Sequence, residues 1–150
     1  MKDKMKKVYL DVNIYNRPFD DQRQVRIRLE TISIFSIMQR IKRGDLSLIW
    51  SFIIDYENSL NPYDDVRQEV GLLSSLAFKT ILPSDIIVTQ AMKFESKGMK
   101  PRDALHIACA LEAGADYFLT CDDKLINKAS SIRGLKILNP IRFIEETEVK

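Results

Sequence analysis

Apolar residues fall along this chain in short unbroken runs that alternate with longer stretches of helical period. Val8-Tyr9-Leu10 is the first run; it reads as a buried strand and ends at Asp11. Over residues 22–43, Val25, Leu29, Ile32, Phe35 (or Ile34) and Met38 recur at spacings of three and four, the period of an amphipathic helix, and Gly44 closes it. Residues 46–50 form the second strand, and the helix after it carries Ile53, Ile54 and Glu57 until Asn61-Pro62 stops it. A helix over 64–77 and a strand over 80–82 follow. The next helix runs from Pro83-Ser84 to Lys97, with Gly98 at its end. Pro101 suits the first turn of a helix reaching Leu111, which Gly114 terminates. Residues 117–120 are a strand, Asp122 opens a helix, and 135–138 are a last short strand.

Strands alternating with helices, without a hairpin signal, predict a parallel sheet covered on both faces, an α/β fold. The chain of 150 residues shows no repeat and no linker, so one domain over 1–150 is expected. Hydrophobic residues at 45% and charged residues at 29% are ordinary for a soluble globular protein.

In such sheets ligands bind beyond the carboxyl ends of the strands, near a switch in strand order. Three acids map to that edge. Asp11, with Asn13 two residues on, leaves the first strand; Glu57 lies one to two turns into the helix after the second; Asp122 directly follows the strand ending Leu119-Thr120. Asp103 sits in the first turn of the helix that begins at Pro101. Hard dications prefer carboxylate oxygen and keep several waters, so a few converging acids suffice to hold one. Each acid also has a plainer reading: Asp122 as a helix cap, Asp103 as a charge complementing the helix dipole, Glu57 as a solvated helix residue. Asp11 is harder to explain that way, because a carboxylate ending an apolar strand is costly unless paired or metal-bound. Asp55, Asp64, Asp65 and Asp123 read as surface charges, with Asp123 near enough to compete for the site.

Charge changes the picture modestly. The net charge is +2, but setting those four acids aside leaves the remainder at +6, compatible with a basic rim around an acidic, metal-loaded centre. Cys109 and Cys121 form no C-x-x-C and no secreted framework. The basic N-terminal run over residues 1–7 leads into no signal-peptide core, and no stretch approaches the roughly 18 apolar residues of a membrane helix. A reducing cytoplasm and no membrane are expected.

The four acidic segments together carry a resemblance. Val8-Tyr9-Leu10-Asp11-Val12-Asn13 resembles the first motif of PIN domains, and Ser51 with Glu57 six residues later resembles the second. The run from Asp103 through Ala104-Leu105-His106 to Ala110 is similar to the third, and Phe118-Leu119-Thr120-Cys121-Asp122 to the fourth. The ordered set implies a Rossmann-like sheet and a site for one or two Mg²⁺ or Mn²⁺ ions held by Asp11, Asp103 and Asp122 with Glu57. It also implies an RNA substrate, as in the VapC-type toxins of toxin–antitoxin pairs, with metal-assisted hydrolysis by water. A homodimer and an antitoxin protein are the partners so implied. The loop from Asn16 to Asp21 departs from the commonest toxins.

Around the acids, Asn13 and Thr120 are expected to orient ligands or substrate rather than bind metal. Arg17, Arg102 and Lys124 are candidates for phosphate contacts, or else solvated surface charges. His106, on the same side of its helix as Asp103, is expected to be packed or hydrogen-bonded, with acid–base catalysis as the alternative. Arg23, Arg26 and Glu30 read as a helix-surface ion-pair set or part of a subunit interface. Phe35, Trp50, Phe52 and Tyr56 are expected in the core or an interface, and Cys109 and Cys121 in the core. The long helix over 22–43 is expected to contribute to the dimer. Two rival functions remain: a PIN-fold binding module with a weak site, and a phosphohydrolase of the haloacid dehalogenase type. The second rival expects Asp where Asn13 stands.

Overall fold

The apolar runs form five strands: β1 (Lys6–Leu10), β2 (Leu46–Ser51), β3 (Ala77–Ile81), β4 (Tyr117–Leu119) and β5 (Lys136–Leu138). The computed structural model describes residues 5–148, so residues 1–4 of the basic N-terminal run lie outside it. The strands make one sheet in the order β3-β2-β1-β4-β5, and every neighbouring pair is parallel. Val8, Tyr9 and Leu10 have no solvent exposure, because both faces of the central strand are covered. The order runs one way from β1 to β3 and the other way from β4 to β5, so the switch falls between β1 and β4. There the crevice beyond the strand ends opens. Asp11 stands beside that switch, its backbone N–H donating to the Leu119 carbonyl at 2.9 Å.

Eight helices complete the described residues: α1 (Val12–Asn16), α2 (Val25–Lys42), α3 (Phe52–Ser59), α4 (Asp64–Leu73), α5 (Asp85–Ser96), α6 (Pro101–Glu112), α7 (Asp123–Lys128) and α8 (Pro140–Thr147). Helices α2 and α8 pack against each other, as do α5 and α6. Right-handed crossovers put these two pairs on opposite faces of the sheet. The five-residue α1 is too short to show a period. By contrast α8 does carry a start signal: Asn139 caps it, accepting from Ile141 N–H at 2.8 Å, and Pro140 occupies its first position.

Two expectations need correction. The helix over 64–77 stops at Leu73, a 3-10 turn follows, and β3 begins at Ala77, earlier than the expected strand over 80–82. On α2, the side turned to the core is Ile34, Ile37, Met38 and Ile41, whereas Val25, Leu29, Ile32 and Phe35 are exposed. The helix carries two apolar stripes, and periodicity alone does not say which one meets the sheet. Tyr56 is also exposed, while Trp50 is in the core. Both cysteines are buried and unpaired, and burial pushes each thiol up to about 12, which leaves them inert packing groups.

Glu30 is buried on α2, where it binds three elements at once. Arg17 Nε lies 3.2 Å from its carboxylate, Arg26 Nε 3.4 Å, and Asn139 Nδ2 donates at 2.5 Å. It therefore joins α2 to the turn after α1 and to the start of α8. Replacing Glu30 with Ala strands a cation and an amide around an empty acceptor site. The expected loss is about 3–5 kcal/mol in a urea titration; a change under about 1 kcal/mol would show that the network contributes little.

Candidate active site

Asp11 is the centre of the site. It follows the last residue of β1 and caps α1, so the chain turns sharply there, and its carboxylate accepts from Val12 N–H at 2.8 Å. Thr120 Oγ1 donates to its second oxygen at 2.8 Å, and Asn13 Nδ2 reaches the same oxygen at 3.2 Å. Asn13 also accepts from Cys121 N–H at 3.0 Å, tying the end of β1 to the end of β4. Asn13 sits inside α1, so a helical turn, not strand alternation, brings it over Asp11. Burial raises the Asp11 carboxyl above the usual range, and the nearby Glu57 charge adds to this, while His106 and Thr120 act against it.

Glu57 comes from the opposite side. Ser51 ends β2 and caps α3, fixing the start of the helix whose next turn presents Glu57. The Glu57 carboxylate accepts from His106 Nε2 and lies 3.5 Å from Arg102. Desolvation would raise its pKa, but His106 and then Arg102 hold the carboxyl below the usual range. His106 is buried on α6, its Nδ1 2.7 Å from Tyr9 Oη, which in turn is 2.6 Å from Ser51 Oγ. The donor directions that satisfy this chain run from Ser51 through Tyr9 and His106 to Glu57. The expectation of a hydrogen-bonded histidine is met. One donor atom each from Asp11, Glu57 and His106 lies within 4.8 Å of the others, close enough to share an ion.

Asp103, in the first turn of α6, joins from the third side. Its carboxyl is raised, first by desolvation and then by the charges of Asp11 and Asp122, but neither Asp103 nor Asp122 is in the group of donor atoms that lie within 4.8 Å of one another. Asp122 caps α7 with one oxygen, accepting from Lys124 and Leu125 N–H at 3.0 and 3.2 Å. Its capping reading and its site reading are therefore compatible, since the other oxygen takes no part in the cap. Asp123 does not compete: Arg26 grips it with two bonds of 2.7 Å.

The three basic candidates are placed differently. Arg17 pairs with Glu30 and with Asp20 at 3.0 Å rather than with any of the four acids. Arg102 is half-exposed over the Tyr56 ring and beside Glu57. Lys124 is exposed in the first turn of α7, next to Asp122. Sequence reasoning missed the Ser51–Tyr9–His106 chain; a tyrosine and a serine at strand positions, both without solvent, were its only signal. A groove of about 720 Å³ opens beside Glu57, with Phe19 and Tyr63 exposed along it and Asp20 and Asp65 as its other charges.

The sequence model of the PIN domain family matches residues 8–130. No curated relative matches the chain. Among solved structures it is similar to FitAcB from Neisseria gonorrhoeae, at 13% identity over 89% of this chain and 97% of that one, TM-score 0.59. It is also similar to VapBC-1 from nontypeable Haemophilus influenzae, at 16% identity over 89% and 98% of the two chains, TM-score 0.58. VapBC2 from Rickettsia felis, solved bound to a DNA fragment from their promoter, matches at 17% identity over 89% and 98%, TM-score 0.56. At these identities the likeness is one of fold.

Raised carboxyl groups have a stability consequence. A folded-state pKa above the unfolded one favours the fold below the ordinary carboxylate range and loses that contribution as pH rises through the raised value. In chelator at neutral pH, Asp103→Asn should therefore melt higher than the wild type, by about 2–4 °C for each kcal/mol of repulsion relieved. The gap should close in acid, below the carboxylate range. A lower melting temperature for the variant at neutral pH would show that Asp103 is there to support the fold.

Proposed function

The chain belongs to the PIN-domain family, and from that premise we propose a divalent-metal-dependent endoribonuclease that hydrolyses RNA phosphodiester bonds as the toxin of a toxin–antitoxin pair. The observation that carries this reading is the buried Asp11 carboxylate at the sheet's switch point, with donor atoms of Glu57 and His106 within 4.8 Å of it; Asp103 and Asp122 are proposed to complete the site. Carboxylates raised by burial and by one another fit a hard dication, which offsets that repulsion and prefers oxygen donors. Mg²⁺ or Mn²⁺ is the ion proposed, held by Asp11, Asp103 and Asp122 with Glu57. Bound there, it supplies Lewis acidity toward a phosphate oxygen and makes water a stronger nucleophile at neutral pH.

The protein's own groups divide the remaining work. Thr120 and Asn13 fix the rotamer of Asp11, so its oxygens face the crevice without searching. His106 is a positioning residue: a soft imidazole is a poorer partner than oxygen for Mg²⁺, and its Nε2 is already given to Glu57. Tyr9 in turn fixes the imidazole's orientation through Nδ1. Arg102 and Lys124 stand at the rim as phosphate contacts. Arg17, bound to buried Glu30, holds the fold instead.

The exposed stripe of Val25, Leu29, Ile32 and Phe35 supports a protein partner, here a homodimer formed partly by α2. The likeness in fold to VapBC and FitAcB assemblies supports an antitoxin as second partner. The cytoplasm is the proposed compartment: it suits two free thiols, and no helix among the described residues is long and apolar enough to cross a membrane.

Asp11→Asn keeps shape and most hydrogen bonding but removes one charge. Cleavage of a labelled RNA in Mg²⁺ or Mn²⁺ should fall by more than about 100-fold, and metal affinity measured by calorimetry should fall with it. Unchanged cleavage by the folded variant would sink the proposal. For the dimer, Phe35→Glu should give monomers by light scattering where the wild type gives dimers.

A further inference from the structure

Two pockets of the protein differ in charge. The groove beside Glu57 is lined by Asp20 and Asp65 and by no lysine or arginine. Between the C-terminal parts of α5, α6 and α7 lies a pocket of about 350 Å³ whose lining includes Lys97, Lys128 and Arg133 and no carboxylate. Its floor is apolar, with Phe94 buried beneath it, and Gln90 and Ser131 add neutral donors at the wall. Among the described residues, no carboxylate lies within ion-pair distance of these three cations.

Helix dipoles account for part of this. Lys97 caps the C-terminus of α5 and Lys128 ends α7, where cations are favoured. Arg133 lies in the turn closed by Gly134, whose φ of 83° swings the chain back toward β5, and on its other side it shares an adjoining pocket with Glu112, outside ion-pair distance. Lys128 is held across the pocket by a bond from Nζ to the Gly98 carbonyl at 3.2 Å.

The pocket is also connected to the acids. Lys128 shares a face of α7 with Lys124, four residues and about 6 Å earlier along the helix, and Lys124 stands next to Asp122. Lys100, three residues past Lys97, caps the start of α6, the helix that carries Asp103 in its first turn. Lys97, Lys100, Lys124 and Lys128 thus stand at the ends and along the face of α5, α6 and α7, while the groove beside Glu57 carries only carboxylates among its charges and repels a polyanion.

We infer that this pocket is a phosphate-binding subsite for the RNA strand, engaging a backbone phosphate away from the one cleaved, with Lys97, Lys128 and Arg133 as its contacts. The inference rests on the nuclease reading for its ligand. It sets the direction in which the strand leaves the site: over α7, not along the groove beside Glu57.

Binding tests it apart from catalysis. A fluorescent single-stranded RNA of twelve nucleotides is titrated in Ca²⁺ at several salt concentrations. Two triple variants are compared: Lys97→Ala/Lys128→Ala/Arg133→Ala, and a control with the same charge change elsewhere, Lys42→Ala/Lys79→Ala/Arg142→Ala. The pocket variant should bind about tenfold more weakly or worse, and its log–log salt slope should shrink by about 0.7 for each phosphate it no longer neutralises. The control should stay near the wild type. Equal effects in both variants, or a wild type that binds no RNA, would overturn the subsite. AMP or inorganic phosphate bound at the pocket without any effect of the triple variant on RNA affinity would also overturn it, in favour of a mononucleotide pocket. If the variant does not fold, protection of Lys97 and Lys128 from acetylation by RNA in the wild type decides the same question, and absence of protection counts against it. RNA binding abolished in the pocket variant alone, beside a wild type that never cleaves, would sink the nuclease reading and leave the subsite standing.

Discussion

A carboxylate almost out of reach of water is stable only if its surroundings replace the lost hydration, and Asp11 is in that position with 6% exposure. Its replacements are a backbone amide, a threonine hydroxyl and an asparagine amide, each donated by a segment that ends a central strand. That requirement shapes much around it. The chain must turn into α1 immediately, so that Val12 N–H and Asn13 are near. β4 must stop at Leu119, so that Thr120 can turn its hydroxyl inward. The donors offset only part of the loss, since the carboxyl remains raised by burial. That residual cost, at the mouth of the switch in strand order, is what supports the proposed cation site.

The second support reaches the same place through the core. Ser51, Tyr9, His106 and Glu57 belong to β2, β1, α6 and α3, and each hands a hydrogen bond to the next. Tyr9 stacks on Phe118 and meets the His106 ring edge-on, so packing fixes the imidazole as firmly as its two hydrogen bonds do. A polar chain in an apolar interior is stable only when every member is satisfied. The orientation of Glu57 is therefore inherited from the packing of four elements, and a misplaced core residue at Tyr9 would be felt at the site.

How much of this can be read in the sequence follows from what kind of signal each feature leaves. Strands β1, β2 and β4, buried on both faces, leave unbroken apolar runs. The acids leave ordered spacings after those runs, and of them Glu57 has a donor atom within 4.8 Å of one on Asp11. Edge strand β3 leaves a poor signal, because Phe78, Lys79 and Thr80 are exposed and no face of it alternates cleanly. The periodicity of α2 does not fix which face is buried, because Ile34, Ile37, Met38 and Ile41 share the helix with an equally apolar outer stripe. Glu30 reads as a surface charge or interface group, yet it is one of the most buried acids in the chain. Nothing in a single sequence says that Arg17 and Asn139, distant in number, will meet it. Partnerships of this kind are tertiary facts, and a residue's type fixes only that such a partner must exist.

Two features left incomplete in the isolated chain point the same way. The acid cluster lacks full charge compensation, and α2 keeps a stripe of apolar side chains in water. Each lowers the stability of the chain alone, and each is relieved by something that binds the folded state and not the unfolded one. Such ligands stabilise by RT ln(1 + [L]/Kd), about 2.7 kcal/mol at a hundredfold excess over Kd. A cation would bring the four acids' segments together, and a partner on α2 would press the helix that carries Glu30 against the turn after α1. Through Arg17 and Arg26 that helix also holds the segment after Asp11 and the α7 residue beside Asp122. On the proposed reading, partner binding and metal binding would act on the same segments from opposite ends, and the free energy of one would appear in the affinity of the other.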